Sequence, residues 1–194
     1  MKRVILLPLL PLLLTGALHA QTFNFGVKAG PQITSFTHST DAKAALLYHA
    51  GIFANYSVMD RLQAQAELVF SASGANDTKK DYFKQRHIYL NLPLMAKYQM
   101  YDRLSVHTGL QLGLLMKAKL KVTEGKNEGD YDRKDWFNSF EVAYLLGAEY
   151  LITKQLSAGM RFNWSLTKLA KDYDKPRQNG IQFFAAYRLN AAAF

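Results

Sequence analysis

From Leu62 to Ser71 the side chains alternate one by one, with Leu62, Ala64, Ala66, Leu68 and Phe70 set against Gln63, Gln65, Glu67, Val69 and Ser71. The alternation returns at Leu104, where Leu104, Val106, Thr108, Leu110, Leu112 and Leu114 oppose Ser105, His107, Gly109, Gln111, Gly113 and Leu115. A two-residue period predicts strands with one apolar and one polar face. Eight such segments follow residue 20, at roughly Phe23–Phe36, Tyr48–Val58, Leu62–Ser73, His87–Gln99, Leu104–Lys121, Trp136–Tyr150, Leu156–Thr167 and Asn179–Leu189. The second, fourth and sixth links are short: Met59–Arg61, Tyr101–Arg103 and Ile152–Gln155. The others are long and hydrophilic, such as Gly74–Lys84, Val122–Asp135 and Lys168–Gln178. Short and long links alternating through an even number of strands predict an all-β, eight-stranded antiparallel up-and-down barrel, with tight turns at one end and long loops at the other.

Alternation is shared by a transmembrane barrel and a soluble lipocalin-like barrel, which are inside-out relative to each other. Three features favour the membrane. The apolar row, exemplified by Ile88, Leu90, Leu92, Leu94, Ala96 and Tyr98, carries no charge in any of the segments. Hydrocarbon enforces that strictness, because one Lys or Arg at mid-bilayer costs about 2–4 kcal/mol. The polar row holds Gly26, Gly30, Gly51, Gly109, Gly113, Gly147, Gly159 and Gly180, which suits a narrow interior, with the bulky residues expected on the other row. Aromatic residues also fall at two levels. Phe23, Tyr56, Tyr98, Tyr150 and Tyr187 lie near the short turns, and Tyr48, Phe70, Trp136 and Trp164 near the loops. Such belts mark bilayer interfaces.

Composition then fixes the compartment. Lys2 and Arg3 precede an apolar run from Val4 to Leu14, and small residues follow up to Ala20. That pattern predicts a signal peptide over residues 1–20 and a barrel domain over 21–194; the run is too short, and too interrupted by Pro8 and Pro11, for a spanning helix. The other reading of this segment is a buried N-terminal helix. Removing Lys2 and Arg3 lowers the formal charge from +9 to +7. In an exported all-strand chain a basic balance points to anionic lipid or lipopolysaccharide and away from nucleic acid. The sequence holds 0 cysteines, so thiol chemistry and Cys-ligated zinc are excluded.

Several stretches resemble the PorT-type outer-membrane β-barrel family of Bacteroidetes-like bacteria. They are FNFGVKAGPQITSF from Phe23, IYLNLPLMAKY from Ile88, GLQLGLLMKAK from Gly109 and LLGAEYLITKQLSAGMRFNWSLTKL from Leu145. The resemblance implies an eight-stranded barrel in the bacterial outer membrane. It implies little about activity beyond an association of the namesake with protein secretion. The end, NAAAF, departs from the pattern. Phe194 is out of phase with Phe183, Ala185, Tyr187 and Leu189, so assembly machinery is expected to read Phe183–Leu189 instead.

Candidate chemistry lies on the inward row. Lys28, Glu67, Lys97, Glu141, Glu149, Arg161 and Arg188 share it, with Lys28, Glu67, Glu141 and Arg161 expected at mid-height and the other three near the periplasmic end. Charges in a dehydrated lumen must pair, and eight strands leave no aqueous channel. A structural ion-pair network is therefore preferred over a proton or ion path. His49, His87 and His107 face inward at different heights and do not converge on a metal. Catalysis on lipid A would favour a lipid-facing histidine beside a serine, but every strand histidine faces inward, and Ser71 and Ser165 have no evident partners. No G-x-S-x-G, P-loop or H-E-x-x-H occurs. No catalytic residue, metal or cofactor is assigned.

Basic residues crowd the outer end. Lys117, Lys119 and Lys121 extend the inward phase and are expected to ring the mouth as a rim for anionic ligands; solvated loop charge is the competing reading. Pro93 is expected to mark a β-bulge, and Pro31 has no account from the sequence. Together these features predict a non-enzymatic outer-membrane barrel with a filled lumen, acting through outer loops and rim in surface binding or envelope structure. Its expected partners are outer-membrane lipid and lipopolysaccharide, the barrel-assembly machinery, and other envelope or secretion proteins. A secretion-accessory role is the alternative, and a lipid A-modifying enzyme a more distant one.

Overall fold

A computed structural model describes residues 23–36, 42–77, 83–122, 129–132, 138–167 and 177–190. Residues 1–20, read above as a signal peptide, lie outside the described residues, as do Trp136, Phe194 and the tips of the long loops. Nine strands are present among those described: β1 (Phe23–Phe36), β2 (Ala42–Met59), β3 (Leu62–Asp77), β4 (Phe83–Gln99), β5 (Leu104–Val122), β6 (Gly129–Asp132), β7 (Phe140–Leu151), β8 (Leu156–Ser165) and β9 (Gln178–Arg188). Each long strand pairs antiparallel with its neighbours in the chain, β5 passes directly to β7, and β9 closes on β1. The result is a closed eight-stranded up-and-down barrel, with β6 added to β5 at the loop end. No helix is long and apolar enough to cross a membrane.

The two-residue period places the side chains. On β4, Asn91 is 2 % exposed while its neighbour Leu92 is 40 % exposed, so the polar row fills the interior and the apolar row forms the wall. Among the exposed large residues are Phe25, Ile52, Leu68, Leu94, Leu110, Leu146 and Phe183, drawn from most of the barrel strands. A closed ring leaves no strand edge unpaired, the condition for backbone to stand in hydrocarbon. Phe23, Tyr56, Tyr98, Tyr150 and Tyr187 are all exposed on the wall near the short turns. Towards the loops Tyr48, Phe70 and Trp164 do the same, and Trp164 stacks on Phe162 and Tyr144 at 5.7 and 6.1 Å between ring centroids. At the short-turn end the seam between first and last strands is tied by Asn190. Its Oδ1 accepts from Phe25 N at 2.7 Å, and its Nδ2 donates to Phe23 O at 2.8 Å.

Several expectations are corrected. The interior is not reserved for small residues, because Phe53, Val69, Tyr89, Met95, Leu115, Leu145 and Phe184 all point inward and are buried. Glycine makes this possible at two places. A Cβ on Gly26 would sit 2.6 Å from Phe53 Cζ, and one on Gly159 would sit 2.5 Å from Phe184 Cζ. Pro93 makes no bulge: the β3–β4 register is the same on both sides of it, with Ala66 opposite Leu94 and Val69 opposite Asn91. Its ring is fully buried, and the paired positions around it drop out of the β3–β4 ladder without a shift. Pro31 behaves alike on the β9 side, where pairing lapses between Ala29–Ala185 and Gln32–Gln182 and resumes in register. Each proline thus removes a donor from the ladder without displacing the strand.

Register shifts lie elsewhere, in the β2–β3 ladder between Ala44 and His49 and between Ser57 and Met59, and in the β4–β5 ladder. Between Ile88–Lys117 and Tyr89–Leu115, β5 carries one residue more than β4. Leu115 and Ala118 are buried while Met116 and Lys117 are both exposed, so the phase of β5 reverses above Leu115. The strands are also unequal in height. A spanning strand needs about 9–11 residues. The last two, of 10 and 11 residues, do little more than span, whereas β2, β3, β4 and β5 have 18, 16, 17 and 19. Part of the region read as loop between Val122 and Asp135 is the strand β6, and β7 starts at Phe140 rather than near Trp136.

Leu92 stands near mid-height on the lipid face. Leu92→Arg should destabilise the barrel by about 2–4 kcal/mol in reversible urea unfolding from lipid vesicles.

Candidate functional site

The interior is organised in three layers. In the middle layer Glu67, from β3, is the centre. Its carboxylate accepts from Lys28 Nζ at 2.9 and 3.1 Å, and from Arg161 Nη1 and Nη2 at 2.9 and 2.8 Å in a bidentate pair. Gln65 Nε2 adds a further hydrogen bond at 2.5 Å. These five hydrogen bonds, from four donor nitrogens, saturate an acceptor with roughly four lone-pair sites. Lys28 comes from β1 and Arg161 from β8, so one carboxylate ties three separate parts of the ring across the lumen. Arg161 Nε donates to His107 Nε2 at 3.1 Å, which sets His107 as the acceptor tautomer on that nitrogen. Phe184 lies against both cations, 3.8 Å from Lys28 Nζ and 5.5 Å from Arg161 Cζ to the ring centroid. The aromatic face thus supports two cations that share a single anion.

The lower layer, at the short-turn end, holds a second ion pair, Lys97–Glu149 at 2.8 Å. Both residues line a cavity of about 360 Å³ together with Asp102, Arg103, Gln63 and Arg188. The upper layer is mostly uncharged. Gln182 Nε2 donates to Gln32 Oε1 at 2.9 Å, Gln32 Nε2 to Ala72 O at 2.5 Å, and Asn91 Nδ2 to Ser71 Oγ at 2.7 Å. Amide side chains line a space of about 20 Å³, on the order of one water molecule.

The inward charges therefore separate. Lys28, Glu67 and Arg161 meet, Lys97 and Glu149 meet below them, and Arg188 lines the same lower cavity as that pair. Glu141 is corrected from the mid-height group. It stands opposite Gly113 in the register, above Glu67, and no cation forms an ion pair with it among the described residues. The three histidines all lie buried inside the barrel, as their phase predicts. His107 is hydrogen-bonded, but His49 is 1 % exposed and neither ring nitrogen has a partner among the described residues. The structure places His49 opposite Ser71 on the neighbouring strand, a juxtaposition that strand phase shows only once the register is known. No hydrogen bond joins them, and Ser71 Oγ is engaged by Asn91. Ser165 Oγ donates to Thr167 O at 3.0 Å. No group of three or more His, Cys, Asp or Glu residues able to hold a metal occurs among the described residues.

The rim is the largest correction. Lys117 faces outward, on the lipid side of the barrel wall, because the bulge at Met116 reverses the phase that would have aimed it into the mouth. The side chains of Lys119 and Lys121 lie outside the described residues; their backbones pair with Arg86 and Lys84 on β4 and with Asp132 and Asp130 on β6.

Removing the central carboxylate leaves two buried cations without their partner. Glu67→Ala should destabilise the barrel by about 3–5 kcal/mol in the same unfolding measurement, and replacing Lys28 by Met in that background should recover part of the loss.

Solved structures share this architecture. Ail, the attachment invasion locus protein of Yersinia pestis, crystallised with the heparin analogue sucrose octasulfate, is 12 % identical with a TM-score of 0.55, covering 87 % of this chain and 99 % of Ail. Neisserial surface protein A is 16 % identical with a TM-score of 0.53, covering 85 % and 96 % of the two chains. The outer membrane protein OprG from Pseudomonas aeruginosa is 9 % identical with a TM-score of 0.50, covering 88 % and 97 %. No curated protein sequence matches the chain. The family model described as outer membrane protein beta-barrel domain matches residues 19–171. With the closed ring, the apolar wall and the two aromatic belts, this match establishes that the chain belongs to the outer membrane protein β-barrel family and resides in the bacterial outer membrane.

Proposed function

We propose that this chain is a non-conducting, non-enzymatic barrel whose work is done at its outer end, as a surface-binding and envelope-structural protein. The observation that carries the reading is the unequal height of the wall. β2 to β5 continue well past the length a bilayer requires, and β6 widens the projecting sheet, while β8 and β9 stop near the membrane. A projecting sheet on one side of a barrel presents strand surface and loops to the exterior. The lumen offers no competing role in this reading. The Lys28–Glu67–Arg161 layer, backed by Phe53 and Phe184, fills the bore at mid-height. Against an enzyme stand the engaged hydroxyls of Ser71 and Ser165 and the absence of a hydrogen bond between Ser71 and His49.

A second reading, a secretion-accessory component as in PorT-type proteins, is favoured by one feature. The cavity of about 360 Å³ at the short-turn end carries both signs of charge and faces the periplasm. A strain lacking the protein would then release less secreted cargo, and unchanged release removes this reading.

The main reading makes two measurable claims. In planar bilayers neither the wild type nor Glu67→Ala should conduct ions, because the aromatic layer persists when the carboxylate is removed. Replacing the chain from Leu120 to Asp135 by a tight turn should leave the barrel heat-modifiable on gels yet lower surface adhesion and bile-salt survival to the level measured for a strain lacking the protein. Full complementation by that variant contradicts the reading.

A further inference from the structure

The reversal of phase in β5 changes what the basic residues at the outer end can touch. On the wall of β4 the outward residues rise through Tyr98, Ala96, Leu94, Leu92, Leu90 and Ile88 and then reach Arg86. On β5 they rise through Leu110, Leu112, Leu114 and Met116 and then reach Lys117. The two strands are paired, with Ile88 opposite Lys117 and Arg86 opposite Lys119, so both change from apolar to basic within two residues of each other. That level can be placed. From Tyr98 in the periplasmic belt to Ile88 is ten residues along β4. At about 3.3 Å per residue and a tilt of about 40°, ten residues climb roughly 25 Å, the height of the apolar band of an outer-membrane barrel. Lys117 therefore emerges at the headgroup level of the outer leaflet, with Met116 and Ile88 in the hydrocarbon beneath it.

The bulge is what puts it there. With unbroken alternation Lys117 would line the mouth above Leu115, where an anion could arrive only from the external solution. With Met116 inserted, Lys117 and the apolar row share one face, and the anion within reach is one anchored in the membrane. Among the described residues the backbone of β6 does not reach the level of Lys117. Asp132 and Asp130 are the backbone partners of Lys119 and Lys121, and the β5–β6 pairing ends at Lys119, above Lys117.

We propose that Lys117 forms a lateral site on the β4–β5 wall for the phosphate groups of outer-leaflet lipid. Its ammonium meets the phosphates from the side, while Met116 and Leu114 below it and Ile88 beside it pack against the acyl chains. The site deepens the reading that the outer end carries the function, and it names membrane-borne phosphate as the ligand chemistry there.

The test is native mass spectrometry of the folded, detergent-solubilised protein titrated with bisphosphorylated lipid A, with dephosphorylated lipid A, and with sucrose octasulfate as a soluble polyanion. Wild type should retain the bisphosphorylated lipid and not its dephosphorylated form. Lys117→Gln should retain it about fivefold less well, with Lys117→Arg restoring retention. Heat-modifiable migration on gels confirms that each variant is folded. Equal retention of both lipids by the wild type, or unchanged retention by Lys117→Gln, overturns the site. Loss of octasulfate binding in Lys117→Gln with lipid retention intact also overturns it, by returning Lys117 to the mouth. These outcomes are separate from the adhesion and bile-salt phenotypes of the Leu120–Asp135 replacement, so the lipid site and the broader reading can fail independently.

Discussion

Hydrocarbon offers no hydrogen bonds to a peptide group, and most of this structure follows from that constraint. Strands that cross a bilayer must pair on both sides, which requires the ring to close. β9 meeting β1 in antiparallel register supplies the closure. Once the ring is closed, successive side chains have only two destinations, lipid or lumen, and the sequence must be sorted into two rows. A single misplaced charge on the lipid row costs a substantial part of a domain's net stability. The same sorting concentrates charge inside. Seven charged side chains and three histidines from the inward row are thereby brought into the bore, where Glu67 pairs with both Lys28 and Arg161. The membrane therefore shapes both the wall and, indirectly, the plug.

The plug also explains the mixture of glycine and aromatic residues within. Guanidinium, ammonium and carboxylate occupy the centre but leave room beside them, and Phe184 fills that space while facing both cations. Gly159 and Gly26 yield volume where Phe184 and Phe53 need it. Small residues on a strand and a ring on its neighbour are two halves of one packing solution in a narrow barrel. The upper layer has a different character, with amides joined to one another and to backbone, and Glu141 set apart from any ion pair among the described residues. Ion pairing thus occurs at mid-height, where one carboxylate serves two cations, and at the periplasmic end, whereas in the outer half of the lumen amides surround the single carboxylate of Glu141.

Strand number, phase and the identity of the wall were legible from residues alone, because a period of two is read one side chain at a time. Leu92 outside and Asn91 inside follow from the alternation with no knowledge of the partners. Register is different, since it depends on pairs. That Glu67 meets Arg161, 94 residues away, could be bounded by counting heights, but the separation of Glu141 from that group could not. The approach of His49 to Ser71 was likewise hidden. A bulge is harder still, because one inserted residue leaves the composition untouched and flips everything beyond it. Alternation extended through Met116 put Lys117 in the mouth, whereas the β4–β5 register puts it on the wall. Proline misled in the opposite direction. Pro93 suggested a bulge where the barrel only omits hydrogen bonds, while the bulge that reverses β5 sits in Leu115–Met116–Lys117, which contains neither proline nor glycine. The full height of β5 was read to within one residue, but the extra height of β2, β3 and β4 was missed because polar residues above the membrane no longer need to alternate, so the signal fades where those strands continue.

The central claim is that lipid contacts the alternating apolar row up to Met116 and that the phase then reverses. With 0 native cysteines, single cysteines at 92, 93, 112, 113, 116 and 117 can each carry a nitroxide label in vesicles. Relaxation by oxygen, which partitions into lipid, would be compared with relaxation by a water-soluble nickel chelate. The account predicts strong oxygen relaxation at 92, 112 and 116, little of either at 93 and 113, and lipid-interface behaviour with some nickel access at 117. Strong oxygen relaxation at 93 and 113 with none at 92 and 112, or a buried label at 117, would contradict it.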